Sequence, residues 1–167
     1  MDRRQVLKGA MTGALTLWAS PLLRAAPQAS AAAGVKKVTD RVSVIDAGTN
    51  VVVLSGGAGL LIVDTGAPKS GDKLTAALKG IAANAKVDTV FNTHYHVDQT
   101  SNNELFSMAG AKIIAHARTQ QWMANDYWIP EELRYQKARP KGAWPTQTFF
   151  NKDSTKADGE QIDYGYL

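Results

Sequence analysis

Apolar positions along this chain fall in short runs separated by turn residues, with one clear change to a helical period. Val42-Ser43-Val44-Ile45-Asp46 is a short strand, closed by the turn residues Ala47-Gly48-Thr49-Asn50. Val51 to Leu54 and Leu60 to Val63 are two more strands. The glycine-rich stretch Ser55-Gly56-Gly57-Ala58-Gly59 between them reads as a hairpin connection. It does not read as a phosphate loop, because no helix follows and no Lys-Ser/Thr closes it. The period then changes. Leu74, Ala77, Leu78 and Ile81 fall at i, i+3, i+4 and i+7, with Lys73 and Lys79 off that stripe. This predicts an amphipathic packing helix capped by Ser70 or Asp72.

Val87 to Phe91 is a buried strand, and Lys112 to Ala115 is another. Between them, Asn102 to Ala109 forms a short helix with Leu105, Phe106 and Ala109 inward, ended by Gly110. Thr119 to Trp122 begins a further helix. From Asn125 to Phe150 the chain is rich in aromatic residues and proline. Two uses fit that composition equally: the wall of a substrate cleft, or ordinary core in an irregular excursion.

The candidate chemistry lies just after Val87–Phe91, in Asn92-Thr93-His94-Tyr95-His96-Val97-Asp98-Gln99-Thr100. In an extended or irregular segment, residues at i, i+2 and i+4 point the same way. His94, His96 and Asp98 can therefore converge on one point past a strand end. Two imidazoles and a carboxylate are a ligand set for zinc or another first-row metal. A polar loop with two ordinary histidines is the plain alternative.

Thr93-His94-Tyr95-His96-Val97-Asp98-Gln99 resembles the His-x-His-x-Asp-His signature of the metallo-β-lactamase superfamily. The resemblance runs from about residue 38 to the end. It takes in Leu61-Ile62-Val63-Asp64-Thr65-Gly66, Thr100-Ser101-Asn102-Asn103 and Ala109-Gly110-Ala111-Lys112-Ile113-Ile114-Ala115-His116. It implies an α/β fold, the first half of an αββα sandwich with a mixed sheet and flanking helices. It implies one or two zinc ions, with iron or manganese as alternatives, held by His94, His96 and Asp98. Asp98 is also the catalytic candidate, as a base or as a ligand of a second metal. Asp64 takes the place of a residue that steadies the metal loop from beneath. Gln99 stands where the family has its last signature histidine, which favours one metal or an unequal pair. His116, the third histidine, could be a further ligand, but it matches a strand-end position of the family that is not one.

Composition adjusts this picture at the N-terminus. Asp2-Arg3-Arg4-Gln5-Val6-Leu7-Lys8 resembles a twin-arginine export motif, followed by a mild apolar stretch and Ala-rich cleavage candidates. Residues 1–33 thus read as a signal and 34–167 as the domain, exported by the twin-arginine machinery to the periplasm. The apolar stretch is too short and mild for stable membrane insertion. Arg3, Arg4, Lys8 and Arg24 against Asp2 account for most of the formal charge of +4, so no basic patch points to nucleic acid. With no cysteine in the chain there is neither a disulfide framework nor a thiolate metal site.

The expected activity is hydrolysis of a small-molecule ester, thioester or amide by metal-activated water. The hairpin-like end, Gly159 to Leu167, matches the approach to the family's second half, which brings later metal ligands. The chain therefore reads as the N-terminal part of that domain, weak or inactive alone. A non-catalytic exported binding module, or a truncated gene product, is the alternative.

Overall fold

The computed structural model describes residues 34–57, 59–84, 86–157 and 159–166. The signal-like segment 1–33 lies outside the described residues. Seven strands form one mixed sheet: β1 (Val35–Lys37), β2 (Val42–Asp46), β3 (Asn50–Ser55), β4 (Gly59–Val63), β5 (Lys86–Asn92), β6 (Lys112–His116) and β9 (Gln147–Phe149), adjacent in that order. β1 through β4 are antiparallel neighbours, whereas β4, β5, β6 and β9 run parallel. The anticipated hairpin holds, with Val52 opposite Val63 and Ser55 opposite Leu60. Val35–Lys37, which the apolar pattern does not mark, forms an edge strand paired with β2.

Helices follow the parallel strands, as parallel pairing requires a crossover. They are α1 (Gly71–Ile81), α2 (Val97–Thr100), α3 (Asn103–Met108) and α4 (Ala117–Met123). One sheet face packs against α1 and α3: Ile45, Val51, Val53, Ile62, Val90 and Ile113 meet Leu74, Ala77, Leu78 and Phe106. Each fully buried Leu or Ile contributes about 1.5–3 kcal/mol. The opposite face carries Phe91, which meets Tyr164 at 4.9 Å between ring centroids, as Phe149 also does. Tyr164 belongs to β11 (Glu160–Gly165), paired with β10 (Lys152–Ala157) in a separate hairpin. A third small sheet pairs β7 (Tyr127–Ile129) with β8 (Arg134–Gln136). Among the described residues, no helix is long and apolar enough to cross a membrane.

Two local expectations fail. Ser70 is the N-cap of α1, but its hydroxyl donates to Ala67 O at 2.7 Å rather than accepting from the helix. In α3 only Phe106 of the three expected apolar residues is buried. Leu105 is 46 % exposed, and the other inward residue is the amide Asn103. The reason lies in the site that α3 supports.

Candidate metal centre

β5 delivers the chain to the site, and β4 beside it anchors the loop beyond. After Asn92 the backbone leaves the sheet, runs through Thr93, His94, Tyr95 and His96, and enters α2 with His96 as N-cap. His94, His96 and Asp98 each offer a ligand atom, and these atoms lie within 4.8 Å of one another. His94 is half-buried and the other two are exposed. Simple strand alternation does not bring them together. Asp98 sits in the first turn of α2, and that turn brings a carboxylate oxygen within reach of the two imidazoles.

A single short helical turn has little stability of its own, so groups beside β3, β4 and β5 hold it. Asp64 adopts φ 64°, a left-handed conformation uncommon for a residue other than glycine. That bend aims its carboxylate at the loop: Oδ1 accepts from Thr93 N at 2.9 Å and Oδ2 from the Thr93 hydroxyl at 2.8 Å. Thr65 N donates to Gln99 O at 2.7 Å, and the Thr49 hydroxyl to Asp98 O at 2.8 Å. Gly66, at φ 78°, bridges to Thr100. A Cβ there would stand 2.6 Å from that of Ala47, so glycine is required. Asn92 and Asn103 exchange amide hydrogen bonds of 3.1 and 2.7 Å beneath the loop, and Asn103 also donates to Ala143 O at 2.9 Å. Asn103 points inward because it ties α3 to the end of β5.

The donor chemistry fits a metal. The Thr93 hydroxyl has one proton, and it goes to Asp64. The 2.9 Å contact between Thr93 Oγ1 and His94 Nδ1 is then a donation from Nδ1–H. His94 Nε2 is left with its lone pair, the form a metal needs. Burial raises the Asp64 pKa above the usual carboxylate value, while its bonds from Thr93 work in the opposite direction. Gln99 lies beside the cluster, and its amide donates to Asp98 Oδ2 at 3.3 Å.

His116 takes no part in this cluster. Its Nδ1 accepts from Arg118 N at 3.1 Å, so Nε2 carries the proton and donates to Phe150 O at 2.9 Å. Both ring nitrogens are committed to joining β6 and α4 to the turn after β9. Sequence reasoning found the three candidate ligands and Asp64. It missed Thr93, Thr49, Asn92 and Asn103. Polar residues flanking an otherwise apolar strand were the available signal.

A layered α/β fold with imidazoles and a carboxylate clustered past the end of a parallel strand is the frame of a metal-binding protein. The family model of the metallo-beta-lactamase superfamily matches residues 44–164, and the chain belongs to that family. Solved structures share the fold. A subclass B3 metallo-beta-lactamase of Bradyrhizobium japonicum is 19 % identical with a TM-score of 0.59, over 77 % of this chain and 49 % of that one. A metallo-beta-lactamase from Pontibacter korlensis is 20 % identical with a TM-score of 0.57, over 77 % and 58 %. One from Cronobacter sakazakii, distinguished by a HARLDQ motif, is 19 % identical with a TM-score of 0.61, over 76 % and 52 %. That motif ends in Asp-Gln, as Asp98-Gln99 does here. The chain spans about half the length of the solved structures it matches. No curated protein matches it by sequence.

Proposed function

We propose that this chain carries the metal-binding loop of a metal-dependent hydrolase, with His94, His96 and Asp98 holding a single zinc ion. The convergence of their ligand atoms within 4.8 Å carries the reading. Two imidazoles and one carboxylate suit zinc, and the same trio on one side of a metal also suits iron. Zinc bound there would supply Lewis acidity, making water acidic near neutral pH and polarising a carbonyl. The protein's own groups do the rest. Asp64 and Thr93 hold His94 in the Nδ1–H form, and the Asp98 carboxylate is the proton acceptor. Asp98 belongs to the cluster itself, one carboxylate oxygen serving the ion and the other the proton, and Gln99 donates to its Oδ2. An ester, thioester or amide carbonyl is the substrate type that this chemistry serves.

Three protein ligands leave a tetrahedral ion one further position, which a catalytic site gives to water or substrate. Lacking a third histidine in the cluster, these 167 residues alone should hold zinc weakly and turn over slowly. Residues 1–33, with Arg3-Arg4, we assign to twin-arginine export to the periplasm. Zinc affinity measured by competition with a chromogenic chelator tests the centre. One equivalent should bind, with loss of about tenfold or more in His94→Ala and in His96→Ala. Unchanged affinity in both variants would place the metal elsewhere and end this reading.

A further inference from the structure

Beside the metal loop lies a cleft of about 740 Å³, closed by the β7–β8 hairpin and by α4. The metal loop, its inner side, contributes His96 and Asp98 to the lining, and the hairpin tip, its outer side, contributes Glu131 and Glu132. Its wall is aromatic. Tyr95 stacks on Trp122 with centroids 5.0 Å apart and planes 15° from parallel. Tyr127 stands edge-on to both, at 5.2 and 5.3 Å. Across the hairpin, Trp128 meets Tyr135 at 5.1 Å, and the two remain 45 % and 61 % exposed. Large aromatic faces left accessible next to a candidate reaction centre supply contact area for a planar apolar group.

The charges add a second selection. Asp98, Glu131 and Glu132 line the cleft with Arg134 as the cation among them. The Arg134 guanidinium is engaged, donating from Nε to Glu132 Oε2 at 2.5 Å and from Nη1 to Gln136 Oε1 at 3.0 Å. A metal at the inner side would offset Asp98. The outer side stays acidic, because Glu131 and Glu132 sit together on the hairpin tip outside the metal-ligand cluster, with only Arg134 among the described lining residues to offset them.

Resting on the hydrolase reading for its chemistry, we propose that this cleft selects carbonyl compounds bearing an aryl group that is neutral or cationic at its outer end. Anionic aryl compounds are disfavoured. Tyr95 and Trp122 form the floor for the ring, and Glu131 is the charge filter.

The test uses three 4-substituted acetophenones, which cannot be hydrolysed: one methyl, one trimethylammonium and one carboxylate. Binding to the metal-free protein is followed by tryptophan fluorescence and calorimetry. The methyl and trimethylammonium compounds should bind saturably, and the carboxylate about fivefold more weakly, as an exposed charge pair allows. Trp122→Ala should weaken all three by about three- to tenfold. Glu131 is exposed, so Glu131→Lys should fold normally, keep methyl binding and remove the bias against the carboxylate. Equal or tighter binding of the carboxylate by the unsubstituted protein, or no saturable binding of any probe, overturns the proposal. Because the probes are read without metal, loss of zinc binding beside intact aryl selectivity counts against the hydrolase reading alone. Intact zinc binding beside absent selectivity counts against the cleft alone.

Discussion

At Asp64 one carboxylate does two things that ordinarily conflict. It is buried, which costs free energy when it is ionised, and it sits in a left-handed backbone conformation. Its folded pKa is raised by desolvation. The stability this group contributes is therefore present in full below its unfolded value and lost as pH rises through the folded one. Whenever it is ionised, the carboxylate is a net cost to the fold. Asparagine tolerates the left-handed region well and removes that cost, so Asp64→Asn should leave thermal stability level or slightly raised. The metal should fare differently. An amide NH2 facing Thr93 Oγ1 turns the hydroxyl proton towards His94 Nδ1 and drives the ring into the Nε2–H form. Zinc affinity should then fall by about 10- to 100-fold, the usual effect of losing a partner of a ligating histidine. Thr93→Ser should keep the relay and Thr93→Val should break it. Chelator competition, with the imidazole tautomer read by nitrogen NMR, checks all three. Equal zinc affinity in Asp64→Asn and the unsubstituted chain would show that the relay does not set the ligand.

Among the elements, the β7–β8 hairpin shows what a pattern of apolar positions cannot convey. The sequence shows Tyr127, Trp128 and Tyr135 as aromatic residues in a proline-rich excursion, without saying whether they are core or cleft. The structure pairs Trp128 with Tyr135 on a two-stranded ribbon lining the cleft beside His96 and Asp98. Such a ribbon is marginal by itself, and Asp126 closes its base. Asp126 accepts from Lys137 Nζ at 2.7 Å and from Ala138 N at 2.8 Å. These bonds, the Lys137 one foremost, hold its pKa below the usual carboxylate value. A lowered pKa gives the opposite sign from Asp64: the contribution is present above the unfolded value and lost as pH falls through the folded one. The hairpin should therefore loosen below about pH 4, before the main sheet does. Hydrogen exchange of residues 127–136 between pH 3 and 6, against Asp126→Asn, measures this. The variant should show the loosened exchange already at the upper end of that range.

For the molecule as a whole, the five inner strands β2 to β6 and α1 were legible because periodicity reports burial directly, whereas the short edge strands β1 and β9 carry no such period. Ile45, Ile62, Leu74 and Ile113 are buried where the pattern placed them. The site was legible in its ligands and less so in its supports. His94, His96 and Asp98 are rare side chains at close spacing. Asn103 and Thr93 are common residues whose roles depend on partners far away in sequence, Asn103 meeting Ala143 and Thr93 meeting Asp64. Those partners tie the loop to β4, β5 and α3 at once, and that bears on how metal binding is felt. Were the loop an independent flap, it could open and release the ion with the sheet intact, and binding would not register in global unfolding. Because Thr65 N holds Gln99 O and Asn103 locks to Asn92, opening the loop breaks buried hydrogen bonds at the ends of two central strands. Zinc should therefore stabilise the entire domain. At a free zinc concentration of about 100 times the dissociation constant, the linkage contributes about 2.7 kcal/mol. For a domain of this size that raises Tm by about 10 °C. Differential scanning calorimetry across a zinc titration should show one transition moving upward together, and at most about half that movement in His94→Ala at the same zinc concentration. A fixed main transition with a separate zinc-dependent component would mean that the loop opens independently of the sheet.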